Sequence, residues 1–155
     1  QSAKAIAMNA VDWPVHLQPD ALLAITHSQH MYEAALEGVL SDIWNLGDAM
    51  RAAGWHQDTE KEWLERIDPA RAACVEGKNI ISVNGTEDNV TPIKTALTQM
   101  DAWNVPAENR FSYKRGHFSI PLGMINDNEP LLRFAAVIRE IECRKSQSNH
   151  VARQA

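Results

Sequence analysis

Two short stretches hold the residue types that could do chemistry. "NGTEDNVTP" (84–92) carries adjacent carboxylates, Glu87 and Asp88, and "RGHFSIP" (115–121) carries His117, 29 residues after Asp88. A carboxylate that accepts an imidazole N–H fixes the ring's tautomer and stabilises the imidazolium formed during proton transfer. Gly85 is expected to permit the turn before the acids, and Gly116 to allow close backbone approach beside the histidine. Taken singly, each residue has a plainer explanation. Asp88 could favour the positive N-terminus of a following helix, and His117 could be a packed loop histidine. The pair carries more weight because each member follows an extended run, in the same order.

The elements that would position them can be read from apolar spacing. "ALLAIT" (21–26) and "NIISVNG" (79–85) are short apolar runs of strand length, and "RFSYKR" (110–115) is a half-polar one. Between the last two lies a helix signal: Thr91 as cap, Pro92 at the first position, then Ile93, Ala96, Leu97 and Met100 on one face. Glu129 and Pro130 open a last helix with Leu131, Phe134, Ala135, Ile138 and Ile141 together, ahead of a flexible polar tail at 146–155. Residues 2–11 read as a helix, 31–53 have helical spacing, and 55–72 suggest short charged helices bearing Trp55 and Trp63. Helices alternating with three strands give an α/β fold with a parallel sheet and right-handed crossovers. In such sheets ligands bind beyond the carboxyl ends of the strands, where both stretches fall.

Composition narrows the classes. With 155 residues, 45% of them hydrophobic, the chain is one ordinary domain. A net charge of −5 gives no electrostatic case for nucleic acid or an anionic membrane. No apolar run approaches the roughly eighteen residues of a membrane span. Cys74 and Cys143 lack metal-ligand spacing and read as buried or free thiols, which tilts the setting toward the cytoplasm. Asn84 and Asn89 match the glycosylation pattern, but so short a pattern recurs by chance.

"GTEDNVTP", a helix, a strand, "GHFSIP" and a final amphipathic helix resemble the C-terminal half of an α/β-hydrolase. "IDPARAACVEGKNIISVNGTED" is similar to the approach to the acid strand in members with an inserted cap. The resemblance is good over 67–142 and looser before. It implies that Asp88 is the triad acid and His117 the general base. It makes "ALLAIT" the sixth strand, puts the core at 1–28 and 67–145, and puts a helical cap at 29–66. Trp44, Trp55 and Trp63 would then line an acyl pocket or bury the cap.

The nucleophile in that family sits at a strand-to-helix turn, usually G-x-S-x-G, and no such pentapeptide occurs here. Ser2 matches the layout: it starts a helix that leads into "ALLAIT", with its strand expected upstream of Gln1. Lys4, however, stands where the second glycine is usual. The backbone N–H of Ala3 would supply half of the oxyanion hole. Ser28 in "THSQH" also follows a strand, but Thr26 and His30 replace the glycines and would strain an elbow. His27 and His30 form H-x-x-H without a third ligand at recognisable spacing, so no metal site is expected.

The resemblance thus implies a serine hydrolase of an ester or related acyl substrate, needing no cofactor. The rival readings are a non-catalytic binding module on this scaffold, favoured by Lys4, and an acyltransferase or lyase. "ALLAIT" without its neighbour strand would expose an edge, so pairing with the missing N-terminal half or self-association is expected.

Overall fold

The computed structural model describes residues 10, 13–27, 39, 45–54 and 75–152. Three strands, β1 (Leu22–Ile25), β2 (Ile80–Gly85) and β3 (Arg110–Tyr113), form one parallel sheet in the order β1-β2-β3. Leu22 pairs with Ile80 and Ile25 with Val83, while Ser82 pairs with Arg110 and Gly85 with Tyr113. The described helices are α1 (Leu46–Ala52), α2 (Ile93–Ala102), α3 (Ser119–Asn126) and α4 (Glu129–Ala152). The sheet, with α2, α3 and α4 flanking it, is an α/β architecture. No described helix is long and apolar enough to cross a membrane. Of the expected cap at 29–66 only residue 39 and residues 45–54, which include α1, are described, and Trp44, Trp55, Trp63 and Cys74 lie outside the described residues.

Every residue of β2 is buried, as a central strand covered on both faces must be. Alternation along it divides the core. Ile80 joins Leu22, Ala24, Val75, Ala96, Met100, Trp103 and Val105 on the α2 side. Ile81 and Val83 join Ile120, Met124, Val137 and Ile141 on the α3–α4 side. The α2-side positions nearer the strand's carboxyl end are polar, Ser82 and Asn84.

Three helix expectations need correction. In α2 the buried residues are Thr95, Ala96, Gln99 and Met100, and Leu97 is exposed. Gln99 is drawn inward by a hydrogen-bonding partner in the core, and this turns the helix away from its most apolar face. In α4 the buried stripe passes through Pro130, Val137 and Ile141 with Phe134 packed beside it, so Leu131, Ala135 and Ile138 face outward. Val137 satisfies the helical spacing as well as Ile138 does, and the sheet selects it. Finally, α4 continues to Ala152 instead of giving way to a loose tail at Ser146. The Ser146 and Ser148 hydroxyls donate to the carbonyls of Glu142 and Arg144 one turn back, and Lys145 pairs with Asp20 at 2.6 Å.

Tyr113, at the end of β3, has a buried hydroxyl beside the Asp127 carboxylate. Burial, and then the neighbouring Asp127 and Glu129 carboxylates, push its pKa from 10.0 up to about 12. The unfolded chain releases this proton near pH 10.0, whereas the folded chain holds it to about 12. Stability is therefore expected to fall as pH rises through that window. Denaturant titrations at stepped alkaline pH should show a shallower fall in Tyr113→Phe; equal slopes would refute the assignment.

Candidate active site

The ends of β2 and β3 are stitched together by backbone hydrogen bonds. Thr86 N–H donates to Tyr113 O (2.8 Å) and Glu87 N–H to Arg115 O (3.2 Å). Gly85 makes this possible through close approach. A Cβ at that position would lie 2.2 Å from Arg115 O and 2.7 Å from Ile120 Cδ1. Gly116 has no such duty: a Cβ there would meet only Glu87 O at 3.5 Å, an ordinary contact, so the expected close approach beside the histidine is corrected.

The stitched loops bring Asp88 and His117 into contact, with Nδ1 2.8 Å from Oδ2. The Asp88 side chain is almost fully buried and accepts from every direction. Its Oδ1 takes the backbone N–H groups of Val90 and Thr91, both at 2.8 Å. Its Oδ2 takes the Thr91 hydroxyl at 2.7 Å as well as His117. An ionised carboxylate is an acceptor only, so the imidazole must carry its proton on Nδ1 to complete the set. That leaves Nε2 as the basic nitrogen, and it makes no hydrogen bond to the described residues. The His117 side chain is 23% exposed. Phe118, 80% exposed, lies edge-on to the imidazole with ring centres 5.1 Å apart.

Glu87 points elsewhere, exposed and 3.9 Å from Lys114 Nζ. Thr91 does not cap α2 as expected, because its hydroxyl is spent on Asp88 and no side chain caps that helix. A carboxylate whose oxygen accepts from the N–H groups two and three residues on is an Asx-type turn, and "DNVT" carries the residues for it. That was the available signal for Thr91, and the helix-cap pattern overlapped it.

A second histidine has a similar hydrogen-bond pattern and the opposite setting. His27, 3% exposed, places Nδ1 2.8 Å from Gln99 Oε1 and Nε2 2.6 Å from Ser82 Oγ. Asn84 Nδ2 donates to Ser82 Oγ at 2.8 Å. Serine, histidine and a carbonyl oxygen are thus in line, but Ser82 and Gln99 have no exposed surface. This is a core polar network, and among the described residues it is incomplete, because Asn84 Oδ1 and Gln99 Nε2 find no partner there. With both ring nitrogens engaged, His27 is not available as one half of an H-x-x-H metal site, and His30 lies outside the described residues. Among the described residues no group of three or more His, Cys, Asp or Glu could hold a metal ion. Cys143 is exposed and free.

Ser2, Ala3 and Ser28 also lie outside the described residues. Just before Ser28, Thr26 adopts a left-handed φ of 50°, a costly conformation for a β-branched residue, and the turn sends His27 into the core. Comparison with protein-family models, curated proteins and solved structures finds no match to this chain.

Removing the Asp88 acceptor should be costly. Asp88→Ala strands two backbone N–H groups and a buried hydroxyl, so a loss of about 2–4 kcal/mol is expected in denaturant unfolding. Glu87→Ala should stay within about 0.5 kcal/mol of wild type. Comparable losses in the two variants would overturn the distinction between these acids.

Proposed function

We propose that the protein is a hydrolase of esters or related acyl compounds, working through a serine, His117 and Asp88. The observation that carries this is the accessible imidazole whose Nδ1 is held at 2.8 Å by a buried, fully hydrogen-bonded carboxylate at the carboxyl edge of a parallel sheet. A histidine held through Nδ1 keeps Nε2 as its basic nitrogen, as a general base requires. Phe118 beside the ring, with exposed Leu122 and Ile125 on the following turns of α3, offers apolar contact suited to an acyl group.

In the mechanism, the serine hydroxyl gives its proton to His117 Nε2 as it attacks the carbonyl, and His117 returns it to the leaving alcohol. Asp88 holds the imidazole and stabilises its charged form. Water then repeats the cycle on the acyl-serine. Ser2 is the proposed nucleophile, with Ala3 N–H as one oxyanion donor and the α/β-hydrolase layout placing the serine's strand upstream of Gln1.

A chain carrying those upstream residues should turn over short activated esters and label with a fluorophosphonate. His117→Ala should abolish both, and Asp88→Asn should lower turnover roughly 10⁴-fold without loss of fold. Absence of labelling and turnover in that wild type would favour a binding module. Labelling that survives Ser2→Ala and vanishes in Ser28→Ala would move the nucleophile to Ser28.

The same reading treats β1 as an edge awaiting its neighbour, and among the described residues it pairs only with β2. Unpaired edges recruit other chains. Sedimentation over a concentration range should show the 155 residues self-associating, and a separately supplied upstream half should suppress it. A stable monomer indifferent to that half would count against the shared-sheet model.

A further inference from the structure

We propose that Thr91 is a positioning residue for the acid, its hydroxyl fixing the Asp88 carboxylate so that Oδ2 faces His117 Nδ1. This rests on the acid–histidine reading above and adds a member that neither the triad pattern nor the sequence spacing names.

The backbone N–H groups of Val90 and Thr91 both converge on Oδ1 and resist rotation of the carboxylate about Cβ–Cγ from one side, and a bond to Oδ2 resists it from the other. That rotation is intrinsically soft. Apart from His117 itself, the only group among the described residues on Oδ2 is the Thr91 hydroxyl, at 2.7 Å. The hydroxyl is itself well placed. Its residue is 5% exposed, is tied through its N–H to the same carboxylate, and precedes Pro92, which restricts its backbone. Branching at Cβ stiffens its rotamer.

A second contact makes the arrangement more than an anchor. Thr91 Oγ1 lies 3.2 Å from His117 Nδ1. Having given its proton to Oδ2, this oxygen can accept a share of the imidazole N–H. The histidine proton then sits in a three-centre bond between a carboxylate and a hydroxyl, both fixed by one turn. Free rotation of the carboxylate, or a swing of the ring about its own axis, would break that bond on one side or the other. Burial keeps water from replacing the hydroxyl.

The test reads the His117 Nδ1–H proton by NMR in the protein, independently of any substrate. Wild type should show it far downfield and slow to exchange, and Asp88→Asn should remove it. Thr91→Val, which keeps shape and the backbone N–H but no hydroxyl, should displace the resonance and speed its exchange with water, and Thr91→Ser should restore it. If Thr91→Val does not fold, Thr91→Ala serves in its place. In the ester assay on the upstream-extended chain, Thr91→Val should lower kcat about tenfold with KM nearly unchanged, and Thr91→Ser should recover most of it.

A resonance lost in Asp88→Asn but unmoved in Thr91→Val would overturn the role of Thr91 and leave the acid–histidine pair standing. A resonance absent from wild type, or one that survives Asp88→Asn, would overturn the pair itself.

Discussion

A carboxylate taken out of water costs several kcal/mol unless its lone pairs are met, and Asp88 meets that requirement within one turn. Two backbone N–H groups, one hydroxyl and one imidazole converge on it. The turn cannot relax without stranding buried donors, and His117 cannot leave without exposing the charge. Around this, the chain closes its gap between the strand ends. Gly85 removes the one side chain that would hold Arg115 and Ile120 away, so the loop after β3 settles onto the turn after β2. The geometry of the site thus depends on a buried charge and on an omitted Cβ directly beside it.

The contrast between the two histidines shows what burial decides. His27 and His117 each place one nitrogen against a side-chain oxygen of α2 or of the turn before it. The partner of His27 is a neutral amide, and its other nitrogen meets a serine with no exposed surface. The partner of His117 is a carboxylate, its other nitrogen makes no hydrogen bond to the described residues, and its side chain is partly exposed. Hydrogen-bond topology alone would rank the buried arrangement as the more complete triad. Access and charge reverse the order, because a reacting carbonyl must be able to arrive and an imidazolium must be stabilised when it forms.

The positions of all three strands were legible, because each is a short apolar or half-polar run between polar breaks, and the acid and histidine followed from where two of those runs end. Helix faces were less legible. In α2, Gln99 faces inward to reach His27 and Leu97 faces out, an inversion that depends on a partner just after β1, far away in the chain. Thr91 was misread for a different reason: one hydroxyl can serve a helix end or a carboxylate, and the short sequence "DNVTP" supports both. Gly116 was credited with a close approach that, of the two glycines at these strand ends, Gly85 makes, since both flank chemistry and sequence does not show which neighbour comes near. A candidate nucleophile was the least legible part, because the marker expected from the resemblance, glycine on both sides of a serine, does not occur in the chain.

The strand–helix–strand connection from Ile80 to Tyr113 has a consequence for the order in which the molecule assembles. Asp88 and His117 are separated by one helix and one strand, so bringing them together closes a short loop, whereas pairing β1 with β2 must close the much longer span between Ile25 and Ile80. Closure entropy rises with loop length, and contacts near in sequence are made sooner than distant ones. The acid and the histidine therefore belong to the segment that can condense first, and β1 docks onto an edge already formed. A nascent chain would hold Asp88 and His117 together before β1 has docked beside β2.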